Sequence, residues 1–81
     1  MSVRDSVRRA FEEVAAQHGR TLPELVDDLK LVDCRLDSLG VAIVVMRLED
    51  QLGFDPFERD HDLEFPKIFG DFVRLYESRG P

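Results

Sequence analysis

Cysteine is almost absent from the sequence, in which Cys34 stands alone. A single cysteine excludes a disulfide within the chain, and it excludes a metal cluster held by several thiolates of one chain. The sequence also lacks an apolar run long enough to span a bilayer and an apolar signal-peptide segment near Met1. We therefore expect a cytoplasmic protein without a membrane partner.

Positive charge is scarce too, since 11 Lys and Arg stand against 17 Asp and Glu and give a formal net charge of -6. Binding to a nucleic-acid backbone needs clustered Lys and Arg, so we expect no nucleic-acid partner. The acidity fits two alternatives equally, a charge that keeps a small protein soluble or a surface for basic partners. A chain of 81 residues forms one small domain, 1–81, whose modest core favours a binding or carrying module over an autonomous enzyme.

Strand-like alternation and internal repeats are missing, and apolar residues instead recur at helical spacing nearly throughout. Caps and stops predict a first helix over 2–18, a long loop over 20–36, a second helix over 37–52, a short helix near Asp55-Pro56, and a final helix from Pro66 to about Arg79. The predicted fold is all-α, a small four-helix bundle of three main helices and one short helix, with a long first loop. Its core is expected to contain these side chains: Phe11, Val44, Val45, Leu48, Phe69 and Phe72.

The second predicted helix carries apolar side chains on two sides. At about 100° per residue, one side is expected to face the core, and it holds Val41, Val44, Val45, Leu48 and Leu52. Leu39, Ile43 and Met46 fall roughly opposite this stripe, where a small domain leaves them near solvent. Three clustered exposed apolar side chains predict a docking surface for a partner protein.

Ser38 directly follows Asp37, which is a good N-cap, and it stands at the end of the long loop, so we expect it to be exposed. A helix N-terminus presents free N–H groups and partial positive charge, which would favour a phosphate esterified to Ser38. Taken alone, however, this local physics favours an ordinary first-turn serine, because such serines are common at helix starts.

A catalytic role for Ser38 finds no support in the sequence. A nucleophilic serine needs a base within hydrogen-bonding reach, and neither His18 nor His61 is spaced to form a triad. The G-x-S-x-G elbow is also missing. His61 lies in a polar run between two aspartates, which is typical of a solvated surface rather than a metal site. We expect no catalytic residue and no metal site.

Cys34, four residues before Ser38, is either a reactive thiol or a small buried hydrophobe, and its apolar neighbours favour burial. The aromatic group of the chain is similarly open to two interpretations, a core cluster or the lining of a ligand pocket. Core is the simpler interpretation for the members of this group: Phe11, Phe69, Phe72 and Tyr76.

The stretch Leu36-Asp37-Ser38-Leu39, followed by an apolar helix that ends Arg47-Leu48-Glu49-Asp50-Gln51-Leu52-Gly53-Phe54, resembles the attachment region of the acyl/peptidyl carrier family. The resemblance extends to chain length, helix order, acidity and the long first loop. It implies that Ser38, within a motif shared with Asp37 and Leu39, receives 4′-phosphopantetheine from coenzyme A through a separate phosphopantetheinyl transferase. The thiol of the arm would then hold a cargo as a thioester.

Some positions depart from the pattern of fatty-acid carriers. Acidic residues usual on the exposed face are replaced by Gly40 and Ile43, with Arg47 nearby, and Arg35 stands where the family often has glycine. This pattern is more similar to a stand-alone specialised or aminoacyl carrier than to a carrier of fatty-acid synthesis.

The resemblance also implies a set of partners. These are a phosphopantetheinyl transferase, an adenylating acyl/aminoacyl ligase, and a downstream acyltransferase or synthase. We expect these enzymes to dock on the second helix of a monomeric carrier, at Leu39, Ile43, Met46 and Arg47. The alternative is a small helical protein–protein interaction domain that carries no modification.

Overall fold

The computed structural model describes residues 2–59 and 64–78, and in these ranges the regular structure is helical. The helices are α1 (Val3–Gln17), α2 (Ser38–Leu52), the single-turn α3 (Pro56–Arg59) and α4 (Phe69–Ser78), with a 3₁₀ turn at Leu31–Asp33. The described part contains no strand, only one antiparallel bridge between Lys30 and Ile68. The predicted all-α bundle of three main helices and one short helix is confirmed. None of the described helices is long and apolar enough to cross a bilayer.

The ends of α1 and α2 lie where their caps predict them. The Ser2 hydroxyl accepts a hydrogen bond from the backbone N–H of Asp5 at 3.1 Å, which satisfies a donor that the first turn leaves free. At the C-terminal end of α2, Gly53 adopts the left-handed conformation, with φ of 85°, and its N–H donates to the carbonyl of Glu49. These local interactions explain why both helices agree with prediction to within a residue.

The core forms where α1, α2 and α4 meet. The ring of Phe11 lies edge-on to Phe69 and Phe72, with ring centroids 5.5 and 5.4 Å apart. Val44 and Leu48 of α2 are fully buried in the same cluster. Five of the six expected core side chains are therefore buried. The sixth, Val45, is only half-buried, because it also lines a surface groove.

The predicted start of the final helix at Pro66 is wrong, since α4 begins at Phe69. The residues just before it pair with the long loop instead. Leu31 N–H donates to the carbonyl of Lys67 at 2.9 Å, and Phe69 N–H donates to that of Leu29 at 2.8 Å. Extended backbone here gives the loop hydrogen-bond partners that a helical turn at Pro66 would remove. The predicted helix end near Arg79 lies outside the described residues.

A close approach at Gly70 fixes this pairing. Its N–H donates to the carbonyl of Asp27 at 2.8 Å. A Cβ placed on Gly70 would lie 2.9 Å from the Cβ of Asp27 and 3.0 Å from its carbonyl oxygen. Only glycine therefore allows the start of α4 to lie this close to the loop. The loop is also anchored by apolar side chains, among them the fully buried Cys34, whose predicted burial is confirmed.

Candidate functional site

Ser38 is exposed and is the first residue of α2, as the sequence predicts. Asp37 caps the helix with an extended backbone, and its Oδ1 accepts a hydrogen bond from Gly40 N–H at 2.8 Å. The first helical backbone bond runs from Val41 N–H to the carbonyl of Asp37 at 3.0 Å. Helix geometry leaves the N–H groups of Ser38 and Leu39 without partners inside the helix. They stand at the positive end of the helix dipole, next to the Ser38 hydroxyl.

This arrangement favours a negative group on Ser38, and the described part of the chain places no base beside the Ser38 hydroxyl. Within residues 2–59 and 64–78, no hydrogen bond joins the Ser38 hydroxyl to a histidine or a carboxylate. A nucleophilic serine needs such a base at about 3 Å. His61, weighed above as a metal ligand, lies outside the described residues.

An apolar groove of about 930 Å³ opens beside Ser38. One wall is the face of α2 that continues from Ser38 through Val41, Ala42 and Val45. The rest comes from the long loop and from the segment before α4, and it includes Lys30, Leu31, Val32, Leu36, Phe65, Pro66, Lys67 and Ile68. Sequence reasoning missed this groove, because the bridge between Lys30 and Ile68 assembles it from segments far apart in the chain.

The predicted exposure of three apolar side chains on α2 is confirmed in part, whereas their docking role stays a prediction. Leu39 and Met46 are 66% and 65% exposed. The expectation that Ile43 is equally exposed is wrong, because it is half-buried and packs against the core. Ile43 lies about 60° around the helix from Met46, on the side that also carries Arg47, whose guanidinium contacts α1. The exposed apolar surface is therefore narrower than the helical wheel indicates.

Arg47, the fourth predicted docking residue, is bound to α1. Its Nη2 donates to Gln17 Oε1 at 2.5 Å, and its Nη1 lies 3.4 Å from Glu13 Oε2. These contacts hold the half-buried guanidinium between the two helices. Arg47 therefore connects α1 to α2, and a docking role for it stays a prediction.

Arg35 has a backbone conformation that favours glycine, with φ of 72°. A side chain in this left-handed region costs about 1 kcal/mol relative to glycine. The position is where carrier proteins often have glycine according to the resemblance, and the positive φ gives a physical reason for that preference. The Arg35 side chain is exposed and lies in the segment that leads directly into Ser38.

Acidic groups gather at the opposite end of α2. Carboxylate oxygens of Glu49, Asp55 and Glu58 lie within 4.8 Å of one another. Carboxylate oxygens are the ligands that Ca²⁺ and Mg²⁺ take, although exposed acidic groups are common without a metal. The nearby Tyr76 hydroxyl is buried and finds no hydrogen-bond partner in the described part of the chain. Burial, and then the charges of Asp55 and Glu49, raise the pKa of Tyr76.

Comparison with known proteins gives one informative similarity. The chain is 36% identical over 69 residues to the non-reducing polyketide synthase CTB1 of Cercospora beticola. The similarity covers 85% of this chain but only 3% of that protein, so the chain spans a very small part of the relative's length. No family model matches the chain. No solved structure matches it either.

Proposed function

We propose that this chain is a carrier protein, whose Ser38 bears 4′-phosphopantetheine and which presents an acyl or aminoacyl cargo to partner enzymes. The observation that carries the proposal is the position of Ser38, exposed at a capped helix N-terminus and at the mouth of an apolar groove. The Asp37-Ser38-Leu39 motif and the helix order support it. The similarity to a protein named a polyketide synthase also supports it, since a polyketide intermediate is one kind of acyl cargo.

The chemistry at Ser38 divides between this chain and a transferase. Ser38 Oγ forms a bond to a phosphorus of coenzyme A, the P–O–P bond of that molecule breaks, and adenosine 3′,5′-bisphosphate leaves. The serine proton passes to a base of the transferase. The N–H groups at the start of α2 stabilise the phosphodiester that results. Once bound, the arm supplies a thiol that holds the cargo as a thioester.

The partners of such a carrier follow from its task. A phosphopantetheinyl transferase installs the arm, an adenylating acyl/aminoacyl ligase loads it, and a downstream acyltransferase or synthase receives the cargo. Leu39 and Met46 offer these enzymes an exposed apolar contact on the helix that begins at the modified serine. The same two side chains favour the second candidate function, an interaction domain that binds a partner without being modified.

Intact-mass measurement distinguishes the two candidates. The folded chain is incubated with coenzyme A, magnesium and a broad-specificity phosphopantetheinyl transferase. We expect the mass of one arm to be added, and peptide mapping to place it on Ser38. Ser6→Ala, which removes a hydroxyl near the start of α1, is the matched control and should gain the arm like the original chain. A folded sample that gains no mass would favour the interaction domain.

A further inference from the structure

Both lysines of the chain line the groove beside Ser38. The sequence contains two lysines, Lys30 and Lys67, and its other nine basic residues are arginines. The backbone holds the two lysines close together, because Lys30 pairs with Ile68 in the antiparallel bridge and the carbonyl of Lys67 accepts a hydrogen bond from Leu31 N–H at 2.9 Å. Two lysines are therefore brought to one groove by segments that are distant in the sequence.

The charge of this groove differs from that of the whole chain. The chain has a formal net charge of -6, yet the groove lining contains two lysines and one acid, Asp37. The carboxylate of Asp37 already accepts a hydrogen bond from Gly40 N–H. Asp33, Arg35 and Glu64 flank the lining in the sequence, and together they add two negative charges and one positive charge. The lining itself therefore has one more positive than negative charge, unlike the acidic chain as a whole, and its two lysines are complementary to an anion.

The remaining lining of the groove is mostly apolar. Val41, Ala42 and Val45 form the wall along α2, and Leu31 and Ile68 lie beside the lysines. The volume of about 930 Å³ falls within the range of small-molecule sites, which is about 300–1,000 Å³. A lysine buries its methylene stem along apolar surface while its ammonium group stays in water. This combination fits a ligand with an apolar body and an anionic group.

We propose that the groove seats the acyl group carried on the Ser38 arm, and that this acyl group bears a carboxylate, which pairs with Lys30 and Lys67. The inference rests on the proposed function, because the arm brings the acyl group to the groove. The phosphodiester at Ser38 is the competing partner for the lysines, since Ser38 lines the same groove. It lies at the start of α2, where backbone N–H groups stabilise it, whereas the lysines belong to the long loop and to the segment before α4.

The test compares two cargoes of equal chain length. A broad-specificity transferase installs the arm on Ser38 from coenzyme A, from decanoyl-coenzyme A, or from sebacoyl-coenzyme A, which ends in a carboxylate. Intact mass verifies each product, and amide hydrogen exchange is then measured over α2. We expect the sebacoyl form to exchange more slowly than the decanoyl form at Val41 and Val45, by a factor of about two to five, the range of exposed ion pairs. High salt should reduce the difference.

Charge-removing variants identify the groups responsible. Lys30→Gln and Lys67→Gln should each reduce the difference between the sebacoyl and decanoyl forms, and the double variant should abolish it. Arg9→Gln removes an exposed positive charge from α1, outside the groove, and should leave the difference unchanged. Far-ultraviolet circular dichroism verifies that every variant is folded.

Three outcomes would overturn the inference, and they differ in what else they overturn. Equal exchange rates in the two loaded forms would mean that the groove does not select an anionic cargo. A second outcome is slow exchange in the form that bears only the arm. If this slow exchange disappears in the double lysine variant, the lysines hold the phosphodiester. Both results leave the carrier function intact. A folded chain that gains no arm would overturn the carrier function and this inference with it.

Discussion

The two ends of α2 differ in charge and in what surrounds them. At the N-terminal end, Ser38 is exposed beside a groove with two lysines, and the helix dipole is positive. At the C-terminal end, where the dipole is negative, the last turn contains no basic residue, and Glu49 approaches Asp55 and Glu58. The N-terminal end therefore favours added negative charge, whereas the C-terminal end already carries more negative charge than the helix dipole favours. An anionic modification fits the first end, and a basic partner surface fits the second.

Removing the Ser38 hydroxyl has the largest expected effect on function. Ser38→Ala should abolish arm attachment and all cargo loading, because the oxygen that forms the phosphodiester is lost. Its free energy of unfolding should change by no more than about 1 kcal/mol, since Asp37 rather than Ser38 caps the helix. Loading is measured by intact mass and stability by urea unfolding. Thioester formation on the alanine variant would contradict the assignment.

Gly70→Ala disturbs the backbone pairing between the long loop and the start of α4, and this pairing assembles the groove at the N-terminal end of α2. The added Cβ would meet Asp27, whose Cβ and carbonyl oxygen are 2.9 and 3.0 Å away. We expect the free energy of unfolding to fall by about 2 kcal/mol. The control is Gly40→Ala, where the nearest atom is 3.2 Å away and the helix gains propensity. Equal stability of both variants in urea unfolding would mean that the loop simply moves away from α4.

Met46→Asp tests whether partners bind α2 through apolar contact. Met46 is 65% exposed and lies between the two ends of the helix. Its loss should weaken ligase binding by about tenfold, consistent with the burial of part of one apolar side chain. Glu49→Gln, which alters only the acidic end, should have a smaller effect that disappears at high salt. If Glu49→Gln weakened ligase binding more than Met46→Asp, and high salt abolished binding of the original chain, docking would be electrostatic.

Tyr76→Phe removes the buried hydroxyl near the acidic end. Since this oxygen has no partner within the described residues, its removal should raise the free energy of unfolding by about 1 kcal/mol. The folded state also holds the pKa of Tyr76 above its ordinary value of 10.0, so the native state retains a proton that the unfolded chain releases at alkaline pH. Stability should therefore fall as the pH rises above about 10.

The alkaline loss of stability gives a second measurement for Tyr76. Thermal unfolding from pH 8 to pH 11 should show a steeper decline for the original chain than for the phenylalanine variant. Parallel curves would mean that the hydroxyl reaches solvent or an acceptor in solution.

Glu49→Gln has the smallest expected effect. It removes a negative charge from the last turn of α2 and from the group formed with Asp55 and Glu58. We expect a gain of about 0.5 kcal/mol at low salt, which decreases as salt screens the charges. Glu12→Gln, an exposed change in the middle of α1, is the control and should alter stability less. A loss of stability with Glu49→Gln would mean that the acidic end is compensated by a bound cation.

Much of the fold follows from local chemistry that is visible in the sequence. Ser2 and Asp37 cap their helices through hydrogen bonds within three residues, and Gly53 ends α2 through its own backbone conformation. Such interactions depend only on neighbours in the chain, so pattern and spacing predict them. The position of Ser38 is determined in the same way.

Other features are decided only by tertiary contacts. α4 begins at Phe69 rather than at the predicted Pro66, because the preceding backbone pairs with a loop far away in the sequence. That pairing also places Lys30 and Lys67 in one groove. The residues next to each lysine in the sequence do not predict this. Ile43 is half-buried because it packs against the core, one helical turn before Arg47, which bonds to α1. These properties depend on which segments meet, and helical periodicity contains no information about that.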